Sequence, residues 1–135
     1  RKKDTLVNVE ATGECVVHVA TADLREQVNL TSKDLPPDQS EVELAGLHTV
    51  PSLKVGVPRL AEAPAAFECK VRQVVPVGDG PIAARMVVCE VLAIHVSDAV
   101  LTDGRPDPYK LRTVARLGGD WWCHTTDLFK LPRPT

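Results

Sequence analysis

The sequence predicts a mainly β fold, a small antiparallel β-barrel with peripheral helices. Phe67, Cys69 and Val71 alternate with charged residues, which is the pattern of a strand with one wet face. A turn rich in glycine and proline follows at 78–81, and then a long apolar run over 86–96, so the two runs predict a hairpin. Only two short helical patterns lie among the predicted strands. That order does not suit the alternating units of a parallel α/β sheet.

Length and charge narrow the class of protein further. The chain has 135 residues, which fits one domain over 1–135, and 44% of them are hydrophobic. Sixteen basic and eighteen acidic side chains give a formal net charge of −2, which argues against a nucleic-acid or membrane-surface partner. No apolar run approaches the roughly 20 residues that a bilayer crossing needs. We therefore expect a soluble, cytoplasmic protein with neither nucleic acid nor membrane as a partner.

The first quarter of the chain predicts a helix, a strand and a second helix. Asp4 is a good N-cap for a helix over 4–10, and Gly13 supplies its stop. Residues 15–20 form a compact apolar run that predicts a buried strand. Thr21 can then cap a second helix over 22–30.

Proline and glycine residues interrupt the segment over 33–57. The Pro36-Pro37 pair predicts an extended loop over 33–40. Ser40 and Glu43 fit a capping box, whose single turn Gly46 ends. Residues 52–57 lie between prolines, so they predict only a short or edge strand.

In the second half, the run over 86–96 is apolar on both faces, which predicts a central strand covered on both sides. A loop is predicted over 103–108, a short turn over 109–114 and a sharp bend at Gly118-Gly119. The tail over 121–134 carries both tryptophans and a phenylalanine, so we expect it to be pinned against a surface.

Generic catalytic signatures are absent from the sequence. It contains no Gly-rich nucleotide fingerprint, no phosphate-binding loop, no nucleophile elbow and no zinc-protease motif. The four cysteines are widely spaced and none forms a C-x-x-C pair, so we expect reduced, structural thiols and no metal: Cys15, Cys69, Cys89 and Cys123. Cys123 and His124 are adjacent on an extended segment and point to opposite faces, which argues against a nucleophile and its base.

One cluster predicts a binding site. Lys2, Lys3, Asp4 and Thr5 place two cations and a hydroxyl at the mouth of the first predicted helix, next to Arg1. Free backbone N–H groups and the positive end of the helix dipole favour a phosphate there. The carboxylate of Asp4 argues partly against a dianion. An ordinary capped helix therefore remains the alternative that spacing alone leaves open.

Motifs in a fixed order run through most of the chain. The helix and the turn after it read KDTLVNVEATGE at 3–14, and the sheet opens with FECK at 67–70. Shorter motifs complete the series: AGL at 45–47, PS at 51–52, PRLAEAP at 58–64, DGR at 103–105, DP at 107–108 and ARLGG at 115–119. In order and spacing, the series resembles the flavin reductase-like family of FMN-binding split barrels, which includes flavoredoxin-like proteins.

The resemblance implies a split β-barrel, a homodimer with FMN at the subunit seam, and electron transfer from NAD(P)H. By resemblance, Lys3, Asp4 and Thr5 contact the flavin phosphate, Asn8 lies close by, and the late turn of Arg116, Gly118 and Gly119 lies near the cofactor or the seam. It implies no protein nucleophile. The acceptor would be free flavin, oxygen or a partner monooxygenase, and the sequence does not choose between NADH and NADPH.

The chain also departs from the family pattern. The barrel strands that precede the first helix in the family are missing before Arg1, so an incomplete barrel that binds flavin poorly is one expectation. Cys89 stands where the family has glycine, and Trp122 where tyrosine is common. Two other functions stay open: a flavin-binding carrier or sensor without turnover, and a dimerising structural remnant without cofactor.

Overall fold

The computed structural model describes residues 2–135, so Arg1, which the sequence places beside the predicted anion site, lies outside the described residues. The helices are α1 (Asp4–Thr12), α2 (Arg25–Leu30), α3 (Glu41–Leu44) and α4 (Pro108–Leu111). The strands are β1 (Glu14–His18), β2 (Thr49–Val50), β3 (Arg59–Leu60), β4 (Ala65–Val77), β5 (Ala84–Val96), β6 (Leu101–Thr102), β7 (Arg105–Pro106), β8 (Val114–Arg116) and β9 (Trp122–His124). The mainly β prediction is confirmed.

A three-stranded antiparallel sheet organises the fold, in the order β1-β4-β5. The predicted hairpin is β4 and β5, and its turn contains Gly78 and Gly80 at positive φ. The prediction of a central strand over 86–96 was wrong, because β4 is the middle strand and β5 lies at the edge. Apolar residues on both faces of β5 therefore leave apolar surface exposed. Ile94 is 62% exposed.

Helix α1 starts one residue earlier than its predicted cap implies. Lys3 occupies the N-cap position in extended conformation and Asp4 is the first helical residue, so the prediction of an Asp4 cap was wrong. Gly13 ends the helix at φ 67°, as its lack of a Cβ allows. Strand β1 follows, only half-buried, and Val9 packs α1 into the core.

The segment between β1 and β3 follows its prediction only in part. The side chain of Ser40 accepts the Glu43 N–H and so caps α3, as predicted. A single 3-10 turn over Ala22–Leu24 precedes α2, so the second helix is shorter than predicted. Residues 52–57 form no strand but a loop between β2 and β3, because their N–H groups bond to side chains of the sheet.

The tail is held against the chain only at its start. Beyond β9 it runs without regular structure, and Trp121 is 76% and Phe129 84% exposed. The start of the tail is held, because β9 pairs with β8 and Thr125 bonds Thr113, so the predicted pinning is confirmed there and wrong for Trp121 and Phe129. Among residues 2–135, no helix has the length and apolar character that a membrane crossing requires.

Candidate functional site

The first turn of α1 closes on the carbonyl of Lys3. Leu6 and Val7 both donate their N–H groups to the carbonyl of Lys3, at 3.0 and 3.1 Å. Lys3 has no acceptor in its side chain, and it makes no side-chain capping bond. The positive end of the helix dipole therefore meets solvent beside two lysine ammonium groups.

A cavity of about 420 Å³ opens at this helix end. Its walls come from two separate parts of the chain, the start of α1 and the tip of the β4–β5 hairpin. The lining residues are Lys2, Lys3, Thr5, Leu6, Gly80, Ala83, Arg85 and Val87. The cavity thus combines three cations and a hydroxyl, a set of groups that suits a phosphate.

Carboxylates already partner two of these cations. Lys2 pairs with Glu10, and the Lys3 Nζ lies 3.1 Å from the Asp34 Oδ1. The Lys3 and Asp34 side chains are 80% and 87% exposed. Exposed pairs of this kind contribute little to stability, so an arriving anion can displace them.

Of the predicted cofactor-binding residues, the structure brings Lys3 and Thr5 into this cavity. Asp4 lines a smaller adjoining cavity of about 280 Å³ together with Lys2, Lys3 and Asp34. Asn8 lies one turn further along α1, where its carbonyl accepts the Thr12 hydroxyl at 2.9 Å. The Asn8 side chain lines neither cavity.

The late turn lies elsewhere in the chain. Arg116 ends β8, and Gly118 and Gly119, the latter at φ 60°, turn the chain into β9. The guanidinium carbon of Arg116 lies 6.0 Å from the centroid of the Trp122 ring, within range of a cation–π contact. A cavity of about 350 Å³ is lined there by Arg25, Glu26, Asn29, Val114, Arg116, Asp120, Trp122, Cys123 and His124. It shares no residue with the cavity at α1.

A buried carboxylate holds the loop that precedes β3. Glu68 is fully buried and accepts the N–H groups of Leu53 at 2.9 Å and of Lys54 at 2.6 Å, and it also bonds the His95 ring. Burial by itself raises the pKa of the Glu68 carboxyl, but these hydrogen bonds outweigh it and lower the pKa to about 2. Glu68 is therefore an anion at neutral pH, contrary to its predicted place on a wet face.

Two further acceptors hold the same loop and the strand β3 that follows it. Glu14 accepts the Gly56 N–H at 2.8 Å, and the His18 Nε2 accepts the Leu60 N–H at 2.9 Å. Burial, together with the charge of Arg59, lowers the pKa of His18. The neutral ring that accepts this bond is the form that burial favours.

The thiols are free. Sequence reasoning missed that Cys15 and Cys89 meet, with their sulfurs 3.6 Å apart. Burial and the neighbouring Cys89 raise the pKa of the Cys15 thiol to about 12, so this thiol is protonated at neutral pH. Within residues 2–135, no three histidine, cysteine, aspartate or glutamate side chains gather as a metal site would need.

Arg85 and Glu68 were also missed. Arg85 lies 80 residues after Thr5 in the chain, and only the fold of the hairpin brings it to α1. A weak signal existed for Glu68, since a carboxylate between Phe67 and Cys69 stands among residues that are mostly buried.

The chain is similar to a known family of proteins. The family model described as "Flavin reductase like domain" matches residues 1–112. An uncharacterized protein of Halalkalibacterium halodurans is 44% identical over 135 residues, which cover 98% of this chain and 65% of that protein. This chain thus spans somewhat less than two thirds of that relative.

Solved structures share the fold. Nitrilotriacetate monooxygenase component B from Bacillus cereus superposes with a TM-score of 0.89 at 30% identity, over 97% of this chain and 66% of that one. A putative flavin reductase with a split barrel domain from Shewanella frigidimarina superposes with a TM-score of 0.80 at 26% identity, over 96% and 65%. The sheet of this chain is thus that of a split barrel.

Proposed function

Because this chain belongs to the flavin reductase-like family, we propose that the protein carrying it is an FMN-dependent oxidoreductase. NAD(P)H would reduce the flavin, and the electrons would pass to free flavin, oxygen or a partner monooxygenase. The name of the Bacillus cereus neighbour, a monooxygenase component, supports the last of these acceptors. On this proposal, residues 1–135 are the later part of a flavin reductase-like barrel and one domain.

The observation that carries the proposal is the cavity at the start of α1. Lys3 and Thr5 line it beside the open helix end. A phosphate monoester suits these groups, because the helix end and the ammonium groups attract its charge and the hydroxyl can donate to its oxygens. The residues present therefore fit the phosphate end of FMN.

The flavin, when bound, supplies the redox chemistry, and this chain supplies binding and orientation. We propose that Lys3 moves from Asp34 to the phosphate and that the Thr5 hydroxyl donates to a phosphate oxygen. Asp4 would line the entrance and Asn8 would contribute from the next turn. Arg116, Gly118 and Gly119 line or flank the other cavity, so we propose that they serve the cofactor from across the seam between two copies.

One face of the β1-β4-β5 sheet exposes apolar side chains. Val17, Phe67 and Ile94 are opposite one another across the sheet and so share one face. Val17 is 50% and Ile94 62% exposed. Exposed apolar faces of this kind are typical of association surfaces, which supports a homodimer.

Flavin binding tests the proposal in the natural full-length protein. We expect a yellow protein with an FMN-like visible spectrum. Replacing Lys3→Ala or Thr5→Val should weaken FMN binding by about tenfold, the size expected for one hydrogen bond to a charged group. Lys33→Ala removes an exposed lysine that lines none of the three cavities and serves as the control.

Turnover separates the proposal from its alternatives. Consumption of NADH or NADPH with added FMN supports an enzyme, whereas bound FMN without consumption supports a carrier or sensor. A colourless protein that oligomerises and ignores added FMN would reject the flavin proposal and leave a structural remnant. The four free cysteines fit the reducing cytoplasm that we propose as its compartment.

A further inference from the structure

The three cations of the α1 cavity differ in their partners. Lys2 pairs with Glu10 and Lys3 with Asp34. Arg85 donates an Nη1–H to the carbonyl of Ala84 at 3.0 Å, and no carboxylate among residues 2–135 pairs with its guanidinium. The charge of Arg85 is therefore the one that neighbouring acids leave uncompensated.

Arg85 also enters the cavity from a different element. It stands on β5 opposite Pro76 of β4, near the tip of the hairpin. Lys2, Lys3 and Thr5 stand at the start of α1, across the same cavity. A ligand between the two walls would therefore meet the helix end on one side and the guanidinium on the other.

The chemistry of a guanidinium suits a phosphate better than an isolated ammonium group does. Its planar fork presents several N–H donors, and it can bind two phosphate oxygens at once. Only part of the Arg85 fork is engaged by the Ala84 carbonyl. Lys2 and Lys3 must first leave their carboxylates, whereas Arg85 needs no such exchange.

We propose that Arg85 is the residue by which this site selects a phosphorylated flavin over riboflavin. The inference rests on the proposed flavin function, and it adds the group that reads the 5′-phosphate. Riboflavin lacks the dianion, so the guanidinium has nothing to pair with when riboflavin binds. The isoalloxazine and ribityl parts are common to both ligands, so their contribution cancels in the comparison.

The experiment compares the two flavins. Dissociation constants of FMN and riboflavin would be measured by quenching of flavin fluorescence, using the natural full-length protein and its Arg85→Ala and Arg85→Lys variants. Arg72→Ala is the matched control, because Arg72 is an exposed arginine of the same hairpin that pairs with Glu90 and lines none of the three cavities.

We expect Arg85→Ala to weaken FMN binding by about tenfold or more and to leave riboflavin binding unchanged. Arg85→Lys should recover part of the FMN affinity, because the charge remains while the fork is lost. Arg72→Ala should change neither constant. The loss in Arg85→Ala should shrink at high salt, since the side chain is exposed.

Two results overturn the inference, and they are distinguishable. If the unaltered protein prefers FMN and Arg85→Ala keeps that preference, or weakens both flavins equally, the selection lies elsewhere and the flavin function stands. If the unaltered protein binds neither flavin, the proposed function fails and this assignment fails with it.

Discussion

The two faces of the β1-β4-β5 sheet differ in what covers them. On one face, Glu14 and Glu68 accept backbone N–H groups from the loop between β2 and β3, and His18 accepts one from β3, so the chain covers this face itself. On the other face, Val17 and Ile94 are half or more exposed. Directional polar contacts close the first face, and apolar surface is left exposed on the second.

The polar face and the apolar face should contribute to different properties, the first to the stability of the folded chain and the second to association with another copy. A buried carboxylate that gathers several donors is costly to disturb, because each donor left behind loses its partner. Exposed valine and isoleucine cost the isolated chain little when they are changed, but they carry binding energy if a second copy covers them. Substitutions on the first face should therefore change unfolding, and those on the second should change oligomeric state.

Glu68→Ala should produce the largest effect. It removes the acceptor of the Leu53 and Lys54 N–H groups and of the His95 ring. Losing one partner of a buried, hydrogen-bonded network is among the most damaging substitutions, so we expect the Tm to fall by about 10 °C or more. Thermal unfolding followed by circular dichroism measures it.

Glu62→Ala is the matched control for that substitution. Glu62 also accepts a backbone N–H, that of His48 at 3.0 Å, but its side chain is 30% exposed rather than buried. Water can replace the acceptor there, so the Tm should fall much less. Equal losses in the two variants would show that burial of Glu68 does not set its contribution.

Glu68 also shows what sequence reasoning could and could not find. The alternation of Phe67, Glu68 and Cys69 correctly predicted a strand and which residues share a face. It could not tell which face a distant loop would cover, so Glu68 was assigned to water although it is fully buried. The same limit explains β5, whose apolar pattern indicated a covered strand although its Ile94 is exposed.

The residues of the candidate site also divide into those that the sequence predicts and those that only the fold brings to the site. Lys3 and Thr5 were predicted because a helix mouth is a local feature of the sequence. Arg85 was not, because its approach to α1 depends on how α1 packs beside the hairpin. Arg116 was grouped with the α1 residues by resemblance, and within this chain it lines a separate cavity.

Ile94→Asp should change assembly rather than folding. Ile94 lies near the end of β5, on the exposed apolar face, and a carboxylate there would be buried without a partner in the proposed homodimer. We expect the dimer dissociation constant to rise by at least about tenfold, measured by analytical ultracentrifugation of the natural full-length protein.

Ile82→Asp provides the comparison for assembly. Ile82 is 93% exposed in the turn after β4, away from the apolar face, so the same change of side chain should leave the dimer intact. A monomeric unaltered protein, or a dimer that tolerates Ile94→Asp, would remove the second face from the interface.

His18→Gln should give the smallest effect, and one that depends on pH. The neutral His18 Nε2 accepts the Leu60 N–H, and protonation of that nitrogen removes the acceptor. Burial, followed by the charge of Arg59, lowers the pKa of His18 in the folded state below its ordinary value of 6.5. The folded state then binds fewer protons than the unfolded state, so this contribution to stability is complete above 6.5 and falls as the pH drops toward the lowered pKa.

Urea unfolding at about pH 8 and about pH 5.5 brackets the upper part of this window, where histidine titrates and the Glu68 carboxyl does not. The free energy of unfolding of the unaltered protein should fall between the two conditions, and the His18→Gln variant should lose part of that dependence. At the higher pH the free energy of unfolding of the variant should differ by about 1 kcal/mol or less, since glutamine retains an acceptor.

His124→Gln removes an exposed histidine from outside the loop contacts and should keep the full pH dependence. If His18→Gln kept the full dependence too, the Leu60 contact would be indifferent to protonation of His18, and the dependence would come from other groups of the protein.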